Sequence, residues 1–193
     1  MAPLRVRLAD RTNRTNRGAT LAELLTCLAV LAILAAAAWP SWQRLLARQQ
    51  VELAADRLAG SLALARATAV ARREDVVLSP LPDSLALDRG WRLSLASART
   101  SADGPAGDAF AVVQTHGACL RIGLRSTAPG SHALRMTAVG YSRSEQGGFL
   151  AATFTVSCRG EQRLLKLGAH GRVRMCTPGR DADCDGPLQA GAP

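Results

Sequence analysis

From Ala19 to Trp39 the chain is almost unbroken in apolar side chains, a run of about 21 residues that matches the roughly 30 Å of hydrocarbon a spanning helix must cross. The pattern then changes. Ala47, Val51, Ala55, Leu58, Leu62, Ala65 and Ala69 recur at alternating spacings of four and three, with Arg44, Arg48, Glu52, Asp56 and Arg66 between them, which predicts an amphipathic helix. It should end near Arg72-Arg73-Glu74-Asp75, where the β-branched pair Val76-Val77 begins. Pro40 inside it predicts a kink, because proline removes one backbone bond and crowds the preceding turn. From Val76 on, apolar residues come in short runs at 76–78, 91–95, 110–115, 119–124, 133–139, 152–158, 164–167 and 172–175, separated by Gly, Pro, Asp and Ser clusters. Alternation is clearest at Trp91, Leu93 and Leu95 and at Phe154, Val156 and Cys158, while Ser97 to Asp108 reads as a surface loop. The expected fold class is α+β: a long N-terminal helix, membrane-spanning and then amphipathic, packed on an antiparallel sheet or pair of sheets. Small alanines on the helix face imply a close approach to that sheet.

Composition narrows the classes. With 48% hydrophobic residues in 193, the chain is neither collagen-like nor wholly disordered. Only 4% are aromatic, which argues against a single-strand binder built on stacked rings. The formal charge of +9 suggests an anionic partner, and its placement matters more than its size. Arg5, Arg7, Arg11, Arg14 and Arg17 stand against Asp10 alone in the first eighteen residues, directly before the apolar run. Such a basic flank predicts a cytoplasmic N-terminus and an external C-terminal bulk. An ordinary secretory signal has a shorter apolar stretch closed by a small-residue cleavage site, whereas here the run continues into a helical pattern. The expected organisation is a leader over 1–18, a spanning helix over 19–39, its amphipathic continuation over 40–73 and a β-rich globular domain over 74–193.

Glu23 is out of place in an apolar run, since an ionised carboxylate in a membrane helix needs a partner. Its surroundings, Arg17-Gly18-Ala19-Thr20-Leu21-Ala22-Glu23, resemble the prepilin signal of type IV pilins and type II secretion pseudopilins. The resemblance implies that a prepilin peptidase cuts between Gly18 and Ala19 and that the new amine of Ala19 is methylated. It further implies that Glu23 pairs with the N-terminal amine of a neighbouring pilin in a filament. Proline at position 40 also fits that family, where the helix partly unwinds on assembly. Ala19 and Ala22 depart from the family's usual phenylalanine and isoleucine, and processing is expected to tolerate both.

Further on, Gly90-Trp91 with its alternating strand, the strand Phe154-Thr155-Val156-Ser157-Cys158, and Gly171-Arg172-Val173-Arg174 resemble the GspH/FimT family of minor pilins and pseudopilins. One branch of that family serves DNA uptake in natural transformation through a C-terminal Gly-Arg-x-Arg motif. Another sits near the tip of the type II secretion pseudopilus, and a third primes pilus assembly. Arg172 and Arg174, two apart in an expected strand, emerge on one face, where arginine forks suit successive phosphates without reading base sequence. Arg163 and Lys166, with Arg159 and Arg180, lie near enough in sequence to widen the patch. The resulting expectation is a minor pilin in the bacterial inner membrane, crossing once, with a periplasmic C-terminal domain that joins a filament and binds double-stranded DNA. The alternatives are a type II secretion pseudopilin H and an assembly-priming minor pilin without DNA binding.

Of five cysteines, Cys27 falls in the membrane run as a small apolar residue. Cys119, Cys158, Cys176 and Cys184 belong to the external part, where an oxidising compartment favours two disulfides. Three connectivities are open; the short loop from Cys176 to Cys184, leaving Cys119 with Cys158, is slightly preferred. These thiols and His170 lack the paired spacing of a zinc site. Asp181, Asp183, Asp185 and Gly186 imitate the start of a calcium loop but lack its closing glutamate. No metal or other cofactor is expected. Scattered His116, His132 and His170, without a nucleophile elbow, paired-histidine metal motif or phosphate loop, argue against an enzyme.

Overall fold

The structure is a computed structural model that describes residues 20–97, 109–128, 130, 133–144 and 146–184. The expected leader over 1–18, the Gly18-Ala19 junction, the loop residues 98–108 and Asp185 lie outside the described residues. Two compact units divide at Pro40. In the first, the helix α1 (Leu21–Arg72) opens at Thr20, whose Oγ1 accepts the N–H of Glu23 at 3.3 Å. Thr20 and Glu23 thus stand as the first and last residues of a capping-box sequence, in which a hydroxyl satisfies a donor that the first helical turn leaves free. Leu24, Leu25, Leu28, Leu31, Ile33 and Leu34 are all exposed, as is the free Cys27. A helix apolar on every side and long enough to cross a bilayer is stable in lipid rather than water. The helical assignment continues through Pro40.

In the second unit, α1 buries Ala47, Val51, Ala54, Ala55, Leu58, Ser61, Leu62, Ala65 and Ala69. All seven positions of the apolar periodicity lie in this buried stripe, and six of the nine residues are alanine or serine. The helix ends without glycine or proline. Arg73 takes a left-handed φ of 53°, and the N–H groups of Glu74 and Arg73 return to the carbonyls of Ala69 and Val70 at 3.2 and 3.4 Å. Those two bonds are a Schellman closure, which absorbs carbonyls that would otherwise be orphaned.

Among the described residues, nine strands form two antiparallel sheets. The first has the order β3-β2-β1-β5-β6, from β1 (Val76–Pro80), β2 (Gly90–Leu95), β3 (Ala109–Gln114), β5 (Leu134–Met136) and β6 (Ser142–Arg143). The second runs β4-β7-β8-β9, from β4 (Arg121–Ser126), β7 (Ala152–Cys158), β8 (Glu161–Leu167) and β9 (Val173–Cys176). Both sheets share one core with the helix, in which Trp91, Leu93, Phe154, Val156 and Leu165 meet Leu58 and Leu62. Asp88, in the 3-10 turn before β2, ties the sheets together: its Oδ1 accepts the N–H of Ile122 on β4 at 2.5 Å. The β7–β8 hairpin turns on Arg159 and Gly160, both at positive φ, the conformation a two-residue turn of this hand requires.

The strand runs read from sequence locate eight of these elements, with differences at their ends. Cys119 precedes β4 in a turn, and the run 133–139 shortens to Leu134–Met136 because Thr137 to Tyr141 reverses direction, with Thr137 N–H donating to the Tyr141 carbonyl at 2.8 Å. Strand β6 escapes the pattern because it is two polar residues long.

Candidate functional site

Residues paired across an antiparallel sheet point to the same face. In the second sheet the inner face carries Ala152, Phe154 and Val156 of β7 opposite Leu167, Leu165 and Arg163 of β8. Its outer face carries Arg121, Gly123 and Arg125 of β4, then Thr153, Thr155 and Ser157, then Lys166, Leu164 and Gln162, then Arg174 and Cys176. By register, Arg125 stands opposite Thr153, Thr153 opposite Lys166, and Lys166 opposite Arg174. One row across the sheet therefore holds three cations, and none of these outer positions is acidic. Arg172 lies just before β9, its carbonyl accepting the N–H of Gly168 at 2.9 Å, and both it and Arg174 are exposed.

Lys166 and Arg174 face one another across β8 and β9. Lys166 Nζ donates to the carbonyl of Cys184 at 3.0 Å, and Cys184 is joined by a disulfide to Cys176 on the same face. Residues 177–184 are thereby held against the sheet beside the cationic row. Within that segment, Asp181 Oδ2 accepts the N–H of Thr177 at 2.6 Å, so the aspartate closes its own turn. The second disulfide joins Cys119, just before β4, to Cys158 at the end of β7.

The structure sets Lys166 opposite Arg174, leaves Arg172 just before β9, and parts Arg163 from them. Lys166 and Arg163 are three apart on one strand, and the two-residue period of a strand sends them to opposite faces. Arg163 points to the helix, its Nη1 3.5 Å from Glu52 Oε1, an oxygen that Arg48 Nε also approaches at 3.1 Å. The grouping of Arg163 with the other cations is therefore corrected. Arg159 turns the other way as well, donating to Gln43 Oε1 at 2.8 Å. Arg180, with Arg48, Glu52 and Arg163, lines a separate cleft of about 190 Å³. Arg125, which reaches the row of Lys166 and Arg174 only through strand pairing, and Arg121, which is 3.4 Å from Asp88 Oδ2, escape the sequence reading. Glu23 is exposed near the start of α1, while Gly18 and Ala19 fall outside the described residues.

A helical segment of membrane length, with an α+β unit of one helix under two antiparallel sheets, defines a pilin-type subunit anchored by a single membrane span. The chain belongs to the family of the type II transport protein GspH, whose model matches residues 54–183. Residues 13–39 match the prokaryotic N-terminal methylation motif. The fold is similar to that of the type IV minor pilin FimU of Pseudomonas aeruginosa, at 20% identity and a TM-score of 0.52, over 67% of this chain and 90% of that one. It also matches the minor pseudopilin EpsH of the type 2 secretion system of Vibrio cholerae at 14% identity and a TM-score of 0.48, over 67% of this chain and 98% of the other. No match to a curated protein was found. The chain is thus a GspH-family protein with an N-terminal methylation motif and a pilin-type fold.

Proposed function

We propose that this protein is the minor pilin of a type IV pilus system that holds double-stranded DNA, without regard to sequence, for uptake in natural transformation. The observation that carries the reading is the exposed pair Arg172 and Arg174, the latter in line with Lys166 and Arg125 across a sheet whose outer positions carry no acid. A polyanion is drawn to clustered cations, and guanidinium forks take phosphate oxygens two at a time. In this reading a prepilin peptidase removes residues 1–18 between Gly18 and Ala19, and the new amine is methylated. Glu23 then pairs with the amine of a neighbouring pilin when the subunit enters a filament. Before assembly the chain crosses the inner membrane once, N-terminus in the cytoplasm and residues 74–193 in the periplasm. Two disulfides in the second unit support export to an oxidising compartment.

The test is duplex DNA binding by the full chain in detergent, titrated over salt, beside the Arg172→Ala/Arg174→Ala double variant. Binding should weaken and the slope of log affinity on log salt should fall by about two, roughly 0.9 for each lost phosphate contact. Equal binding by both proteins, or none by either, transfers the assignment to the second reading. That reading, a type II secretion pseudopilin H, is favoured by the description of the matching family model, and an assembly-priming pilin shares its expected silence toward DNA.

A further inference from the structure

The chain has one tyrosine and three phenylalanines. Phe154 is fully buried, yet Tyr141 and Phe149 are 37% and 62% exposed and meet at the surface. Their ring centroids are 6.2 Å apart at an interplanar angle of 72°, and His170 abuts the other side of Tyr141 at 5.5 Å and 76°. The Arg143 guanidinium carbon sits 4.8 Å over the Phe149 ring, anchored by a 2.7 Å bond from Nη1 to the Gly147 carbonyl. Leaving these rings in water forfeits the burial free energy that draws Phe154 inside, so their gathering at one place calls for an occupant.

The cluster is held from beneath. Three turns converge on Ser142, which is fully buried: its N–H donates to the Ala169 carbonyl at 2.9 Å, and its Oγ lies 2.6 and 3.0 Å from the carbonyls of Leu150 and Gly168. Gly171, at φ +71°, lies against the Gly140 carbonyl, where a Cβ would collide with it. The turn Gly168 to Arg172 therefore carries His170 and Arg172 in fixed relation to Tyr141. Arg66 of α1 lies along Gly140 and Gly171, adding a cation against these turns. Among the described residues of the three turns none is acidic; Glu145 lies outside them.

We infer that Tyr141, Phe149 and His170 form a stacking platform for unpaired bases, so that the subunit grips single-stranded DNA, with Arg143 and Arg172 taking the flanking phosphates. This rests on the reading of the second sheet as a nucleic-acid surface, and it adds a ligand form that this sheet's cations do not select. The low aromatic content argues against a binder built on many stacked rings, but three rings gathered at one place beside an arginine suffice to hold a strand irrespective of sequence, because every base offers a π face. Duplex bases are already stacked and cannot use the rings.

The test uses the full chain in detergent with a labelled 20-nucleotide dA strand and a 20-base-pair duplex, read by fluorescence anisotropy. Phe149→Ala and Tyr141→Ala should each weaken strand binding about tenfold, leave the duplex unaffected and keep the salt slope, since stacking releases no counterions. Phe149→Leu keeps an apolar side chain without a ring and should lose the strand equally. Strand binding by Phe149→Leu at the unaltered level overturns the platform, as does a parallel loss of strand and duplex. Arginine-dependent duplex binding without strand binding overturns the platform and leaves the duplex reading intact. Binding of neither form overturns both.

Discussion

The indole N–H of Trp91 on β2 donates to Ser61 Oγ of α1 at 2.9 Å, and Ser61 in turn donates to the Arg57 carbonyl at 2.9 Å. Trp91 is fully buried, so this hydroxyl is the means by which the largest side chain in the core keeps its one polar atom satisfied. Ser61→Ala removes the acceptor and leaves the indole N–H stranded. A loss of roughly 1–3 kcal/mol is expected, to be read as a lower denaturation midpoint of the detergent-solubilised chain followed by tryptophan emission. An unchanged midpoint would show that water reaches the indole.

The two faces of the second sheet make opposite predictions for single arginines. Arg174→Ala should lower the salt slope of duplex binding by about 0.9. Arg163→Ala should leave that slope alone, because its guanidinium faces Glu52 on the inner side. If Arg163→Ala costs as much as Arg174→Ala, the face assignment of the DNA contact is wrong.

The disulfides should differ in worth. Cys119–Cys158 closes a span of 39 residues and Cys176–Cys184 one of 8. By chain entropy alone their removal costs about 4 and 2.5 kcal/mol respectively. Thermal unfolding of Cys119→Ser/Cys158→Ser and Cys176→Ser/Cys184→Ser should therefore show the larger drop for the first. The second frees the segment beside Lys166 and should make residues 177–184 the earlier site of proteolysis.

Glu74, just past the end of α1, accepts the hydroxyl and the N–H of Ser97, the latter at 3.1 Å. These bonds to the charged form, with a smaller contribution from the Arg72 guanidinium, hold its carboxyl below the ordinary range. A depressed carboxylate stabilises the fold above its unfolded value and loses that contribution as pH falls through the folded one. The junction of α1 with Ser97 should accordingly loosen only in acid, below the usual carboxylate range. A carboxyl-resolved NMR titration should place the Glu74 midpoint under that of a free glutamate, and Ser97→Ala should move it up.

What could be read along the chain was whatever depends on local spacing. The seven apolar positions from Ala47 to Ala69 all lie on the buried helix face, and the run Ala152 to Cys158 is a strand of those bounds, because side-chain periodicity alone decides which residues reach a core. Gathering distant residues is a different matter. Arg125 reaches the cationic row only through the pairing of β4 with β7, and Tyr141, Phe149 and His170 meet only because three turns close on Ser142. Arg163 parted from its sequence neighbours because sheet alternation set it against the helix, where Glu52 was waiting. The sequence by itself determined the anchor, the helix and the strands, since local patterning stabilises those; the tertiary structure decided which charges and rings became neighbours, since strand register and turn packing act between residues that the chain keeps far apart.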